Sequence, residues 1–139
     1  MIKIIMTRAF LLCLILVSLL TTGCKKGEGT GGGATIQGKI LLQDYTTAGV
    51  KNGDPYDGYD EKVYLVYGNG TTYDDTYTTS YDGSYKFTNL RTGTYKVFVY
   101  SAIVPVPSDP PKDEAIIKVV TVSDKKGVVT VETMTVNKF

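Results

Sequence analysis

The sequence predicts an all-β fold, a β-sandwich, from three observations. Apolar and polar residues alternate at a period of two over several short runs, no stretch sustains a helical period, and turn signals rich in Gly, Asp and Asn separate the runs. The clearest case is the stretch Asp82 to Val99, DGSYKFTNLRTGTYKVFV. Asp82-Gly83 is a turn pair, because Asp tolerates and Gly readily adopts a positive φ. Tyr85 and Phe87 then alternate with Ser84, Lys86 and Thr88, which predicts a half-buried strand with an aromatic inner face. Leu90 falls off the alternation after Asn89, and Gly93 turns the chain into a second strand. There Tyr95, Val97 and Val99 face one way and Lys96, Phe98 and Tyr100 the other, with β-branched and aromatic residues on both faces.

Taken in order, residues 1–23 begin with Lys3 and Arg8, continue through the apolar run Ala9 to Leu20, and lead into Cys24 through Thr21-Thr22-Gly23. The run is short of the roughly 20 apolar residues that a spanning helix needs. A charged start, an apolar middle and a small-residue end describe a secretory signal peptide that is removed. Residues 24–34 are Cys24 and KKGEGTGGGA, a glycine-rich segment read as a flexible tether that sets the domain about 15–20 Å from whatever holds the cysteine. Residues 35–139 suit one domain, and a chain of that size buries about two thirds of its unfolded surface. Seven strands are expected. The first is Thr35 to Gln43 with Ile36, Ile40 and Leu42 inward, the second Lys62 to Tyr67 with Val63 and Leu65 inward, and the third Thr76 to Ser80. The fourth and fifth are the two strands of the central stretch, the sixth is Ala115 to Val122, and the seventh is Val128 to Val136 after the turn Asp124-Lys125-Lys126-Gly127.

The central pattern, D-G-x-Y-x-F-x-x-L-x-x-G-x-Y-x-V-x-V, resembles the one shared by carboxypeptidase regulatory-like domains and collagen-adhesin B-type domains. This resemblance implies a single seven-stranded antiparallel prealbumin-like (transthyretin-like, Greek-key) β-sandwich, of a kind that usually accompanies other activities rather than performing catalysis. Gly23-Cys24 at the end of the apolar run resembles a bacterial lipobox, which implies that Cys24 is diacylated and becomes the first mature residue. Lys25 in place of Asp after the cysteine is similar to the sorting signal for the outer membrane. The charged residues behind it are similar to the surface-export tags of some Bacteroidetes lipoproteins; Lys25 and Lys26 also suit contact with anionic head groups. Cysteine usage agrees with acylation. Cys13 lies in the removed run, so Cys24 has no intramolecular partner and no disulfide framework exists. Two acyl chains anchor stably where one is marginal.

Composition excludes several chemistries. The chain has no histidine and the mature part no thiol beyond Cys24, so Ser-His, Cys-His and His-metal sites are absent. A carboxylate pair needs a pocket that raises one pKa, whereas the acidic residues here sit in Gly-, Tyr- and Asp-rich segments of solvated character. The expectation is a protein that is not an enzyme. Removing Lys3 and Arg8 leaves thirteen of the fifteen basic residues against fourteen acidic ones, so no positive field draws nucleic acid.

Two candidate sites remain. The segment Asp44 to Glu61, read as a loop, carries Asp54, Asp57, Asp60 and Glu61 with Gly53 and Gly58 among them. Oxygen ligands at short intervals with glycines for tight turns suit calcium; the other reading is a solvated acidic loop. No other cofactor is expected. Tyrosine is the compositional outlier, eleven against four phenylalanines and no tryptophan. If successive strands alternate in direction, Tyr45, Tyr56, Tyr59 and Tyr81 collect at one end of the sandwich as rigid amphipathic contacts for a glycan or peptide. The functional expectation is a lipid-anchored lipoprotein of the bacterial cell envelope, at the outer membrane and exposed on the cell surface. It has a non-catalytic domain acting in protein interaction or surface assembly, or alternatively a carbohydrate- or peptide-binding module that uses the Tyr/Asp-rich loops.

Overall fold

The computed structural model describes residues 27–104 and 112–139. The predicted signal peptide (residues 1–23), the predicted lipidation site Cys24, and Lys25 and Lys26 lie outside the described residues. Among the described residues, nine strands form two sheets. They are β1 (Thr30–Tyr45), β2 (Lys51–Asp57), β3 (Lys62–Tyr67), β4 (Asp75–Thr78), β5 (Ser84–Leu90), β6 (Gly93–Ala102), β7 (Asp113–Val122), β8 (Val128–Thr130) and β9 (Met134–Lys138). The first sheet has β1 at its centre with β2, β5, β8 and β9 all pairing to it; the second runs β4-β3-β6-β7, antiparallel throughout.

The count of nine corrects the seven expected, for two reasons. β2 runs through the segment read as a loop and is fully exposed, so it carries no alternation of burial for a pattern to reveal. The expected last strand is split in two. β8 pairs Thr35–Gln37 with Val128–Thr130 and β9 pairs Ile40–Asp44 with Met134–Lys138, so two β1 residues face the three residues 131–133. That extra residue is a bulge-like interruption. Both of these pairings are parallel, which corrects the wholly antiparallel expectation.

β1 changes partner part-way along its length. β5 covers its first part as far as the Lys39–Ser84 pair, and β2 takes over from the Leu41–Asp57 pair. The amide and carbonyl of Ile40 lie on one edge. The amide donates to the Gly83 carbonyl at 2.9 Å and the carbonyl accepts from the Gly58 amide at 3.0 Å, so β5 and β2 follow one another along that edge. The core between the sheets holds Ile36, Ile40 and Leu42 from β1, Val63 and Leu65 from β3, and Tyr85, Phe87, Tyr95, Val97 and Val99 from the central stretch. These are the residues that the alternation placed inward. Asn89 has φ 58°, and this left-handed residue reverses the parity so that Leu90 also enters the core. Burial pushes the Tyr85 hydroxyl above the ordinary tyrosine value.

The tether boundary shifts as well. β1 begins at Thr30, and Ala34 is fully buried. The Gly29 amide donates to Tyr95 Oη at 3.0 Å, the Arg91 amide to the Gly29 carbonyl at 2.9 Å, and Arg91 Nη1 to the Gly27 carbonyl at 3.0 Å. A side chain at Gly32 would collide with the backbone at Leu90. The glycine run therefore permits close strand approach, and residues 27–34 belong to the domain.

Gly83 combines a positive φ with a close backbone approach. Its φ is +75°, and a Cβ there would strike the Ile40 carbonyl and the Gly58 amide. Gly53 also has a positive φ, +69°, but nothing lies within 4 Å of its Cβ position. In urea unfolding, Gly83→Ala is expected to lose about 3 kcal/mol or more and Gly53→Ala about 1 kcal/mol. Equal losses would show that the approach at Ile40 is not constrained.

Candidate functional site

The loop residues Tyr59, Asp60 and Glu61 leave the end of β2 beside the turn Tyr81-Asp82-Gly83, because Gly58 and Gly83 share Ile40. This brings two of the four predicted ligand tyrosines together. Tyr59 and Tyr81 stack with ring centroids 4.4 Å apart and planes 7° from parallel. They are 50% and 82% exposed, so the outer face of Tyr81 is open to solvent. Tyr45 and Tyr56 are not in the stack; they sit opposite Lys51 and Leu42 in the β1–β2 ladder. Tyr56 Oη donates to Asp44 Oδ1 at 3.1 Å, and that bond holds its hydroxyl above the ordinary tyrosine value.

The four predicted metal ligands are not gathered at one point. Asp54 lies exposed within β2. Asp57 pairs with Lys39 at 2.7 Å, and Glu61 with Lys138 at 2.9 Å. Asp60 is exposed, with φ 61°. Among the described residues no group of three or more acidic, His or Cys side chains is placed to hold a metal ion. The reason is the unexpected β2, whose extended backbone spreads its acids along an edge, while lysines on β1 and β9 neutralise the two acids nearest the sheet. Asp82 accepts from the Ser84 amide at 3.0 Å, and its bonds to Ser84 hold its carboxyl below the usual range.

A second surface was not singled out from sequence. On the outer face of the second sheet, Tyr64 of β3, Phe98 of β6 and Ile117 of β7 lie in one cross-strand row, with Lys96 and Val119 paired in the next. Tyr100 and, from the loop before β4, Tyr73 complete a four-ring cluster. Tyr64 and Phe98 stack at 4.8 Å and 11°, Tyr100 meets both edge-on at 5.6 Å, and Tyr73 leans on Tyr64 at 5.0 Å. The Asp74 amide donates to the Leu65 carbonyl at 2.8 Å and Asp74 Oδ2 accepts from the Tyr67 amide at 2.7 Å, which folds the Tyr73 loop back onto the sheet. Tyr73, Tyr100, Ile117 and Val119 are each at least half exposed. The signal in the sequence is the parity of β6, where aromatic residues occupy Phe98 and Tyr100 on the face turned away from the core.

No protein-family model matches the chain, and none of the curated proteins does. Among solved structures the fold is similar to a candidate carbohydrate-binding protein from Pseudomonas aeruginosa, at 18% identity and TM-score 0.47 over 79% of this chain and 91% of that one. It is also similar to a 9R-lipoxygenase from Cyanothece PCC8801, at 16% identity and TM-score 0.39 over 73% of this chain and 16% of that one. What either protein binds or catalyses is a property of that protein.

The arrangement of the acids yields a direct test. Thermal unfolding is expected to show the same midpoint with excess calcium and with chelator. A rise of several degrees, as for a ligand held at about 100 times its dissociation constant, would mean that the carboxylates gather around an ion after all.

Proposed function

We propose that the chain is a non-catalytic, prealbumin-like interaction domain, held on the outer membrane of a bacterial cell by acylation of Cys24 and acting at the surface through contact with a partner protein. The observation that carries this reading is the four-ring cluster on the outer face of the second sheet, extended by Ile117 and Val119. Core packing does not require these side chains, and contiguous exposed apolar surface marks interaction sites. The ring geometry favours a protein over a sugar there. Tyr64 and Phe98 spend their faces on each other, which leaves ring edges, hydroxyls and aliphatic groups for the partner.

A second reading, a carbohydrate- or peptide-binding module, is favoured by one observation. The outer face of Tyr81, backed by Tyr59, is a flat apolar shelf of single-ring size beside the carboxylates of Asp60 and Asp82.

Tyr100→Ala and Ile117→Ser separate the two readings. Ile117 is exposed, so its replacement is expected to change stability by no more than about 0.5 kcal/mol. Loss of an anchoring aromatic at an interface is worth roughly 2 kcal/mol, so recovery of cross-linked partner from native membranes is expected to fall at least about tenfold in Tyr100→Ala. Unchanged recovery in both variants would remove the sheet face as the contact. Glycan binding that survives Tyr100→Ala and is lost in Tyr81→Ala would move the site to the stacked pair.

A further inference from the structure

We propose that a second copy of this chain joins the first along the free edge of β7, by antiparallel pairing of the two β7 strands about a two-fold axis at Ile117. This rests on the reading of the second sheet's outer face as the contact surface, and it names the partner met there.

The second sheet ends at β7, and its hydrogen bonds fix which backbone groups are left over. The Gly68 amide donates to the Thr94 carbonyl at 2.8 Å and the Ile103 amide to the Lys112 carbonyl at 3.1 Å. Even-numbered residues of β6 therefore bond to β3 and odd-numbered ones to β7, while on β7 the even-numbered residues bond to β6. The amides and carbonyls of Ala115, Ile117, Val119 and Thr121 point the other way, and among the described residues nothing pairs with them. Proteins blunt such edges by shortness, proline, charge or distortion. The other edges here are blunted: β4, β8 and β9 have four, three and five residues, β2 contains Pro55, and β5 turns left-handed at Asn89. β7 instead runs for ten residues in unbroken register with β6 and has no proline. Its Lys118 lies on the inward face with Val120 and Val122 and is paired with Glu132 at 2.8 Å.

β7 complements itself in one register. Odd-numbered residues must meet odd-numbered ones for their free groups to bond. Centring on Ile117 sets Ile117 against Ile117 and Ala115 against Val119, with Lys118 opposite Ile116 and Glu114 opposite Val120, so no like charges meet. A centre at Lys118 would bring two lysines face to face, and one at Val119 would set Glu114 against Asp124. The same register completes the outer face. Tyr64, Phe98 and Ile117 form a cross-strand row that stops at β7, so Ile117 has a neighbour in the row on one side only, as Val119 has in the next. A two-fold axis normal to the sheet keeps both outer faces on one side. The row then runs from Tyr64, Phe98 and Ile117 of one copy into Ile117, Phe98 and Tyr64 of the other.

The test is mild oxidation of cysteine variants of the full chain in native membranes. Facing residues of such a pair have Cα atoms about 5.5 Å apart, within disulfide reach, whereas the two copies of a residue two positions off the axis lie about 14 Å apart. Ile117→Cys, and Ala115→Cys with Val119→Cys in one chain, are each expected to give at least about tenfold more disulfide-linked dimer than the unsubstituted chain, Ala115→Cys alone or Val119→Cys alone. No dimer from either Ile117→Cys or the double variant, in cells that hold them at the unsubstituted level, would overturn the pairing, as would equal dimer from every variant. A photoreactive residue at position 117 then separates the two readings. Capture of a different protein there leaves the sheet face as a contact surface and removes the second copy; no capture removes both.

Discussion

The first sheet exists only through β1. Its four other strands all pair with this one strand, and among the described residues none of them pairs with another. Sixteen residues of backbone must therefore be satisfied on both edges by four segments drawn from nearly the whole length of the chain. At the partner change two backbones meet the single residue Ile40 and leave no room for a side chain at Gly83. β5, the turn before it and the loop after β2 are held in place by that junction, and so is the Tyr59–Tyr81 stack that rises above it. Apart from the β1–β2 hairpin, this pairing is non-local, which is the topology associated with slow folding.

Much of this was legible in the residues, because alternation reports burial directly. Ile36, Ile40, Leu42, Val63, Leu65 and the central Tyr85, Phe87, Tyr95, Val97 and Val99 all face the core, and the Asp82-Gly83 turn forms with the expected positive φ at Gly83. What escaped has a physical reason in each case. β2 has no buried face, so its seven residues read as an acidic loop. The glycine run before Ala34 has the composition of a tether, yet its lack of side chains is what lets it lie against Leu90 and Tyr95. The break between β8 and β9 depends on a one-residue mismatch with β1, which no local pattern records.

The candidate sites followed the same logic. Tyr59 and Tyr81 are neighbours because two loops share one end, as strand alternation suggested; Tyr45 and Tyr56 are drawn away by the unforeseen ladder with β2. The aromatic face of the second sheet was visible only as an outward parity at Phe98 and Tyr100. Its extent became evident once register placed Tyr64 and Ile117 beside Phe98. Two of the four acids expected to act as ligands, Asp57 and Glu61, pair with lysines, which offsets repulsion among the carboxylates of that rim. The resulting molecule has one long central strand that holds the first sheet together and, on the second sheet, one broad face of rings and aliphatic groups.

The most direct test of that account is site-specific photo-crosslinking in living cells, with a photoreactive residue at position 117 or 119 and, separately, at position 81. The account expects one discrete protein partner to be captured from 117 and 119, on the face of the second sheet, and none from 81. Capture from 81 alone, or no capture from the sheet face in cells that display the protein, would contradict it.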